Sequence, residues 1–183
     1  MDLRLVERAQ SGDREAYAEL ARGSSDRLYA IAYQITRDAD RADDAVQQAL
    51  VAMWRDLPSL RDAARFEHWT YRLVTRASLQ ELRQRRRANV RQLTLDDQPA
   101  ADRDLAADVA TRDQLDRALA VLTPDHRAIV VLRHLVGLSI DEIAEVLGIP
   151  RGTVASRLHH ATNALRAAID AGDRPAMAGE SAR

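Results

Sequence analysis

Two stretches of this chain carry the residue types and spacing that hold nucleic acid. Arg72–Arg91 contains seven Arg and one Glu, net +6. Its densest part is Arg83, Arg85, Arg86 and Arg87, with Arg65, Trp69, Tyr71, Arg72 and Arg76 upstream. Guanidinium groups bind phosphates, and aromatic rings among them offer stacking faces to unpaired bases. Arg151–Arg166 contains three Arg and no acid, net +3, with His159 and His160 alongside. A third stretch has the opposite sign. Asp38–Asp56 holds five Asp and two Arg, net -3, with Leu50, Val51 and Trp54 among them. A carboxylate row beside an apolar ridge suits a basic, partly apolar protein surface. Each stretch also has a plainer reading. The arginine run fits a solvated helix end favoured by the helix dipole, and Leu50, Trp54 and Trp69 fit a bundle core.

Other chemistry is excluded. The 183 residues hold 27 basic side chains, all Arg, against 28 carboxylates, net charge -1. With no Cys there is no disulfide, thiolate zinc site or cysteine nucleophile. The five His are scattered at 68, 126, 134, 159 and 160, with no Gly-rich phosphate loop and no H-E-x-x-H, so no enzyme is expected. His159 and His160 point about 100° apart on a helix and make a poor metal pair. No metal and no cofactor is expected. No apolar run is long enough to span a membrane, and the charged N-terminus lacks a signal-peptide core, so a cytoplasmic protein without membrane contact is expected.

The elements that position these groups are helical. Ala, Leu, Arg, Glu and Gln dominate, and seven Gly with five Pro leave few breaks. No period-2 alternation argues for a sheet. Ser11-Gly12-Asp13 separates a short first helix from one over 14–37, which Gly23 is placed to kink. Asp38 opens a helix over 41–57, closed by Pro58. The loop 59–65 leads to a helix over 66–87. Residues 88–110 read as a flexible linker. It lies largely within an acidic stretch, Gln92–Asp116, whose seven Asp and two Arg give that stretch a net -5. Helical periodicity returns at Thr111, with Leu115, Leu119 and Leu122 on one face. Thr123-Pro124 restarts a helix that ends at Gly137. The fold class is therefore all-α: two small helical domains, 1–87 and 111–172, joined by the linker, with a frayed tail over 173–183. Each domain is small for burying a core alone.

Leu138–Leu158 has the pattern of a helix-turn-helix. Ser139-Ile-Asp-Glu142 is a capping box. Ile140, Ile143, Ala144 and Leu147 share one face, and Gly148 allows the positive φ of a tight turn. Val154 and Leu158 anchor the second helix. Arg151, Thr153, Ser156, Arg157, His159 and His160 are left towards its other faces, where they can meet a major groove and its phosphates. An αα-hairpin serving only as scaffold is the competing reading.

Leu122–Leu158 resembles region 4 of an extracytoplasmic-function sigma factor of the sigma-70 family. Asp38–Arg55 resembles region 2.2 of that family, and Phe66–Arg87 resembles regions 2.3 and 2.4. The three lie in the family's order, with an acidic linker between.

The resemblance implies a dissociable RNA polymerase subunit that directs promoter-specific initiation. Asp40, Asp43, Asp44, Gln47, Gln48, Leu50, Val51 and Trp54 would meet the β′ clamp helices of core polymerase, and region 4 the β flap. Arg65, Trp69, Tyr71, Arg72, Arg76, Arg83, Arg86 and Arg87 would grip the −10 element as it opens. Arg133, Arg151, Thr153, Ser156, Arg157, His159 and His160 would read or hold the −35 element. An anti-sigma factor would hold such a chain inactive. Gln48, Arg76, Gln80 and Ala155 depart from the residues common in the family. The alternative from another class is a stand-alone helix-turn-helix regulator.

Overall fold

The structure, a computed structural model, describes residues 2–92 and 117–172. Among them every regular element is helical. Helix α1 spans Leu3–Gln10, its first turn capped by the Asp2 side chain. Helix α2 spans Arg14–Thr36, where Asp13 accepts from the N–H groups of Glu15 and Ala16. Gly23 does not break it: one Gly costs about 1 kcal/mol, and the apolar residues that follow anchor the helix in the core. Helix α3 spans Ala39–Asp56, and Asp38 accepts from the Arg41 N–H at 3.0 Å. Two short 3-10 turns, Leu57–Ser59 and Ala63–Arg65, lead into α4, Phe66–Gln92. After helical backbone at 117–120, α5 spans Pro124–Val131, capped by Thr123. Helix α6 spans Ile140–Leu147 and α7 spans Arg151–Gly172.

Two boundaries differ from the sequence reading. Helix α4 continues past Arg87 to Gln92, because residues 88–92 contain neither Gly nor Pro. The first residues of the expected linker, 88–92, are thus helical; its remaining residues, the start of the next helix at Thr111, and the tail at 173–183 lie outside the described residues. The second difference follows α5. The chain widens into a π-helical turn, Leu132–Val136, instead of ending as a plain helix. The Leu138 N–H reaches back to the Leu132 carbonyl at 3.0 Å, and Gly137 reverses the chain at φ +89°. Only glycine adopts that φ without strain.

The two halves do not bury separate cores alone. One cluster is local to the first half: Val6, Leu20, Met53, Leu57, Phe66 and Trp69. Another is local to the second: Leu119, Leu122, Val130 and Ala161. The largest crosses between them, joining Leu28, Ile31, Ile35 and Val74 to Ile129, Leu132, Ile143 and Val146. Helix α5 packs on α2, and α6 packs on α4. The core that each half lacks is completed by the other.

Arg127 sits at this seam, 8% exposed. Its guanidinium donates to the carbonyls of Leu119 at 3.1 Å, Leu122 at 3.0 Å and Ile35 at 2.9 Å. The first two belong to its own half; Ile35 lies in the last turn of α2. The final carbonyls of a helix lack intrahelical donors and carry the negative end of its dipole. A guanidinium answers both needs. Burial, and then the charge of Arg37, lower the Arg127 pKa to about 10, so it stays charged at neutral pH.

Candidate nucleic-acid and protein interfaces

Helix α3 presents an acidic, apolar surface. Ala42, Ala45, Ala49 and Met53 face the bundle, and the remaining faces turn outward. Asp40, Asp43, Asp44, Gln47, Gln48, Val51 and Trp54 are exposed, and Leu50 is half-buried. Val51 is 61% and Trp54 44% exposed, values that core residues do not have. They flank a shallow groove floored by Val46 and Leu50 and walled by Tyr17. The Tyr17 ring meets Trp54 edge-on at 4.7 Å, and its hydroxyl donates to the Leu50 carbonyl at 2.6 Å. Tyr17 was not among the residues the sequence singled out, because it comes from α2, far away in the chain. Gln48 is hydrogen-bonded to Glu81 of α4, which ties one end of the row to the bundle.

The 3-10 turn ending at Arg65 and helix α4 after it divide their candidate residues by depth. Arg65, Arg76, Arg83, Arg86 and Arg87 are exposed, and Arg72 is half-buried. Trp69 and Tyr71 are buried, 8% and 4% exposed. Trp69 packs beside Phe66, ring centroids 6.1 Å apart. Tyr71 lies under the Arg27 guanidinium, 5.4 Å from its ring centre. Of the two readings open for Trp69, the structure has the buried one. In this form neither ring offers a stacking face to a base. The exposed arginines have the chemistry to hold phosphates, but the aromatic platform expected beside them is buried.

Helix α7 is seated as the sequence pattern requires. Val154 is fully buried, Leu158 packs against the core, and Gly148 turns the chain at φ +68°. Arg151, Ser156, His159 and His160 are exposed; Thr153 and Arg157 are half-buried. The His159 ring is 3.1 Å from the Asn163 side chain, one turn on. Arg133 donates to the Leu138 carbonyl at 2.9 Å, bracing the π-helical turn. Among the described residues no group of three His, Cys, Asp or Glu is arranged to hold a metal ion, and no helix is long and apolar enough to cross a membrane.

The capping box at α6 is complete. The Ser139 N–H donates to the Glu142 carboxylate at 2.7 Å, and the Glu142 N–H donates to the Ser139 hydroxyl at 3.2 Å. The Ser139 bonds, and then His68, hold the Glu142 pKa down to about 2, from an ordinary value of 4.5. Because the folded value is depressed, its stabilisation is present above about pH 4.5 and lost as pH falls towards 2. Following helicity by circular dichroism over that range, wild type should lose its advantage over Glu142→Gln as the solution becomes more acid. A gap that stays constant with pH counts against the capping role of the charge.

Comparison with known proteins places these surfaces in a family. Residues 20–88 match Sigma-70 region 2, and residues 112–165 match Sigma-70, region 4. The ECF RNA polymerase sigma factor SigM of Mycobacterium tuberculosis is 36% identical over 156 residues, covering 85% of this chain and 78% of that one. The ECF RNA polymerase sigma factor SigW of Bacillus subtilis is 28% identical over 173 residues, covering 88% and 92%. Among solved structures, CnrH in complex with the cytosolic domain of CnrY aligns with a TM-score of 0.67 at 27% identity, covering 94% of this chain and 99% of that one. A strip of arginines on α4, a seated helix-turn-helix and matches in family order along the chain lead to one conclusion: the chain belongs to the extracytoplasmic-function sigma factors of the sigma-70 family.

Proposed function

We propose that the chain binds core RNA polymerase through the α3 surface and directs promoter-specific initiation. In this reading Asp40, Asp43, Asp44, Gln47, Gln48, Leu50, Val51 and Trp54 meet the β′ clamp helices. Arg65, Arg72, Arg76, Arg83, Arg86 and Arg87 hold the separated −10 strand by its phosphates, while Trp69 and Tyr71 act from beneath as support. Arg151, Thr153, Ser156, Arg157, His159 and His160 read and position the −35 duplex, with Arg133 at its edge. The observation that carries the reading is the pairing, on one member of this family, of an exposed acidic-apolar ridge with a recognition helix free of acid from Arg151 to Arg166. The chain works by binding, in the cytoplasm, and performs no catalysis of its own. A protein partner of the anti-sigma class would control it, as a compact two-part body gives such a partner a single target; CnrH was solved with the cytosolic domain of CnrY bound.

The test is run-off transcription on genomic promoters with core polymerase, with and without the chain, followed by mapping of start sites. Chain-dependent starts sharing upstream elements are expected. Ser156→Ala with His159→Ala should then lower initiation about 10- to 100-fold at promoters with the mapped −35 element, as expected for lost base contacts. The absence of chain-dependent starts, together with tight duplex binding by the chain alone, would make it a stand-alone regulator instead.

A further inference from the structure

We infer that Tyr17 is a positioning residue for core polymerase docking: its ring and hydroxyl hold Trp54 upright at the rim of the α3 groove, in the form a partner can meet. The inference rests on the docking role proposed above for α3.

Tyr17 is fixed from below. Its N–H donates to the Asp13 carbonyl at 3.0 Å, in the first turn of α2. Asp13 is itself braced: its carboxylate caps α2 and accepts from the Arg8 Nε–H at 2.9 Å. The Tyr17 side chain packs against the local core of Leu20 and Met53. From that base it reaches α3 at two points. The hydroxyl donates to the Leu50 carbonyl at 2.6 Å. Helical geometry gives that same carbonyl to the Trp54 N–H, one turn on. The ring meets the Trp54 indole edge-on, with centroids 4.7 Å apart and planes at 73°. Aromatic quadrupoles favour that arrangement. Burial raises the pKa of the hydroxyl above its ordinary 10.0, against a smaller downward pull from the Trp54 N–H, so it stays protonated and donating at neutral pH.

The restraint matters because of what Trp54 borders. The indole is 44% exposed, beside an apolar groove floored by Val46 and Leu50. Side chains on a helix lean towards the turn before them, and Leu50 is one turn before Trp54. An unrestrained indole would gain by lying down on that floor, covering apolar surface that a partner would use. It would also sample about four arrangements, two at χ1 and two at χ2. With one of them competent to dock, apparent affinity falls about fourfold, because only that fraction binds. Tyr17 removes both losses before the partner arrives, and such preorganisation is gained as affinity.

The affinity of the full chain for core polymerase tests the assignment. Tyr17→Leu keeps an apolar side chain against Leu20 and Met53 but removes both contacts with α3; it should weaken binding about fourfold or more. In a Trp54→Ala background the same change should matter less than about twofold, because no indole is left to place. Tyr17→Phe keeps the ring edge and should recover most of the loss. Trp54 also reports on itself. With Trp69→Phe it is the only Trp in the chain, and its time-resolved fluorescence anisotropy should follow the tumbling of the whole protein. Tyr17→Leu should add a fast local component. A merely structural role for Tyr17 would lower the urea midpoint and leave the indole motion and the coupling to Trp54 unchanged. Four results each overturn the assignment: unchanged indole motion in Tyr17→Leu, affinity within about twofold of wild type, an equal loss in the Trp54→Ala background, or Tyr17→Phe as weak as Tyr17→Leu. Trp54→Ala that binds like wild type rejects the docking role of α3, and this inference with it. A weakened Trp54→Ala beside an unchanged Tyr17→Leu rejects this inference alone.

Discussion

Arg127→Met is expected to destabilise the folded chain by about 3 kcal/mol or more, the range for breaking a buried charged network. Methionine fills much of the volume but donates nothing. The carbonyls of Leu122 and Ile35 then lose the guanidinium donor in a site where water does not reach freely, and the Leu119 carbonyl keeps only the Leu122 N–H at 3.2 Å. Leaving a buried acceptor unpaired costs about 1–3 kcal/mol, while the desolvation of the guanidinium itself is recovered, so the net is less than the sum. Arg127→Lys should recover only part of the loss, since one ammonium cannot span three carbonyls arranged for a planar fork. The urea midpoint measures both. The effect also has a direction in space: two bonds are internal to the C-terminal half and one ties it to α2. The variant should therefore lose the coincidence of unfolding signals from Trp54 and Trp69, which report the N-terminal half, with the helicity of the whole. A shift of under about 1 kcal/mol with coincident transitions would mean that the seam is held by apolar contact alone.

Arg127 also marks where sequence reading stops. The helices are legible because their signals are local: Asp13, Asp38, Thr123 and Ser139 each cap the helix that follows, and Gly137 and Gly148 stand at positive φ where a turn demands it. The anchors Val154 and Leu158 follow from helical spacing, and so does the outward face of α7. Arg127 carries no such signal. In sequence it is one arginine in the first turns of a helix; its meaning depends on Ile35, which is distant in the chain. The Tyr17 wall of the α3 groove is hidden for the same reason. Trp69 and Tyr71 illustrate a different ambiguity. Aromatics among arginines fit a stacking platform and a helix core equally, and only packing against Phe66 and under Arg27 decides between them.

The seam itself is illegible for a third reason. Charges read by segment point to external partners: acids to polymerase, arginines to DNA. Yet Glu142 and Glu145 serve His68 and Arg65 of the same chain. Complementary surfaces meant for others are complementary to each other whenever a tether lets them meet, and the small size of each half makes the meeting favourable by completing its core.

Val51→Arg is expected to reduce affinity for core polymerase by about 100-fold, some 2.7 kcal/mol, without unfolding the chain. Interface energy concentrates in a few central apolar and aromatic side chains surrounded by polar ones. On α3 the candidates are Val51 and Trp54, rimmed by Asp40, Asp43, Asp44 and Gln47. Val51 is 61% exposed, so the fold loses little when it changes, whereas an arginine there would meet the basic partner surface that the acidic rim of α3 is proposed to fit. Trp54→Ala should weaken binding to a similar degree by removing one wall of the groove, at some cost to Tyr17, which it contacts edge-on at 4.7 Å. Asp43→Asn should act differently. A rim carboxylate mainly steers encounter, so its loss should slow association and flatten the salt dependence while leaving dissociation nearly unchanged. Association and dissociation rates on immobilised core polymerase separate the three. If Val51→Arg bound within about twofold of wild type, the ridge would not be the docking surface, and the partner of Trp54 would have to be sought elsewhere.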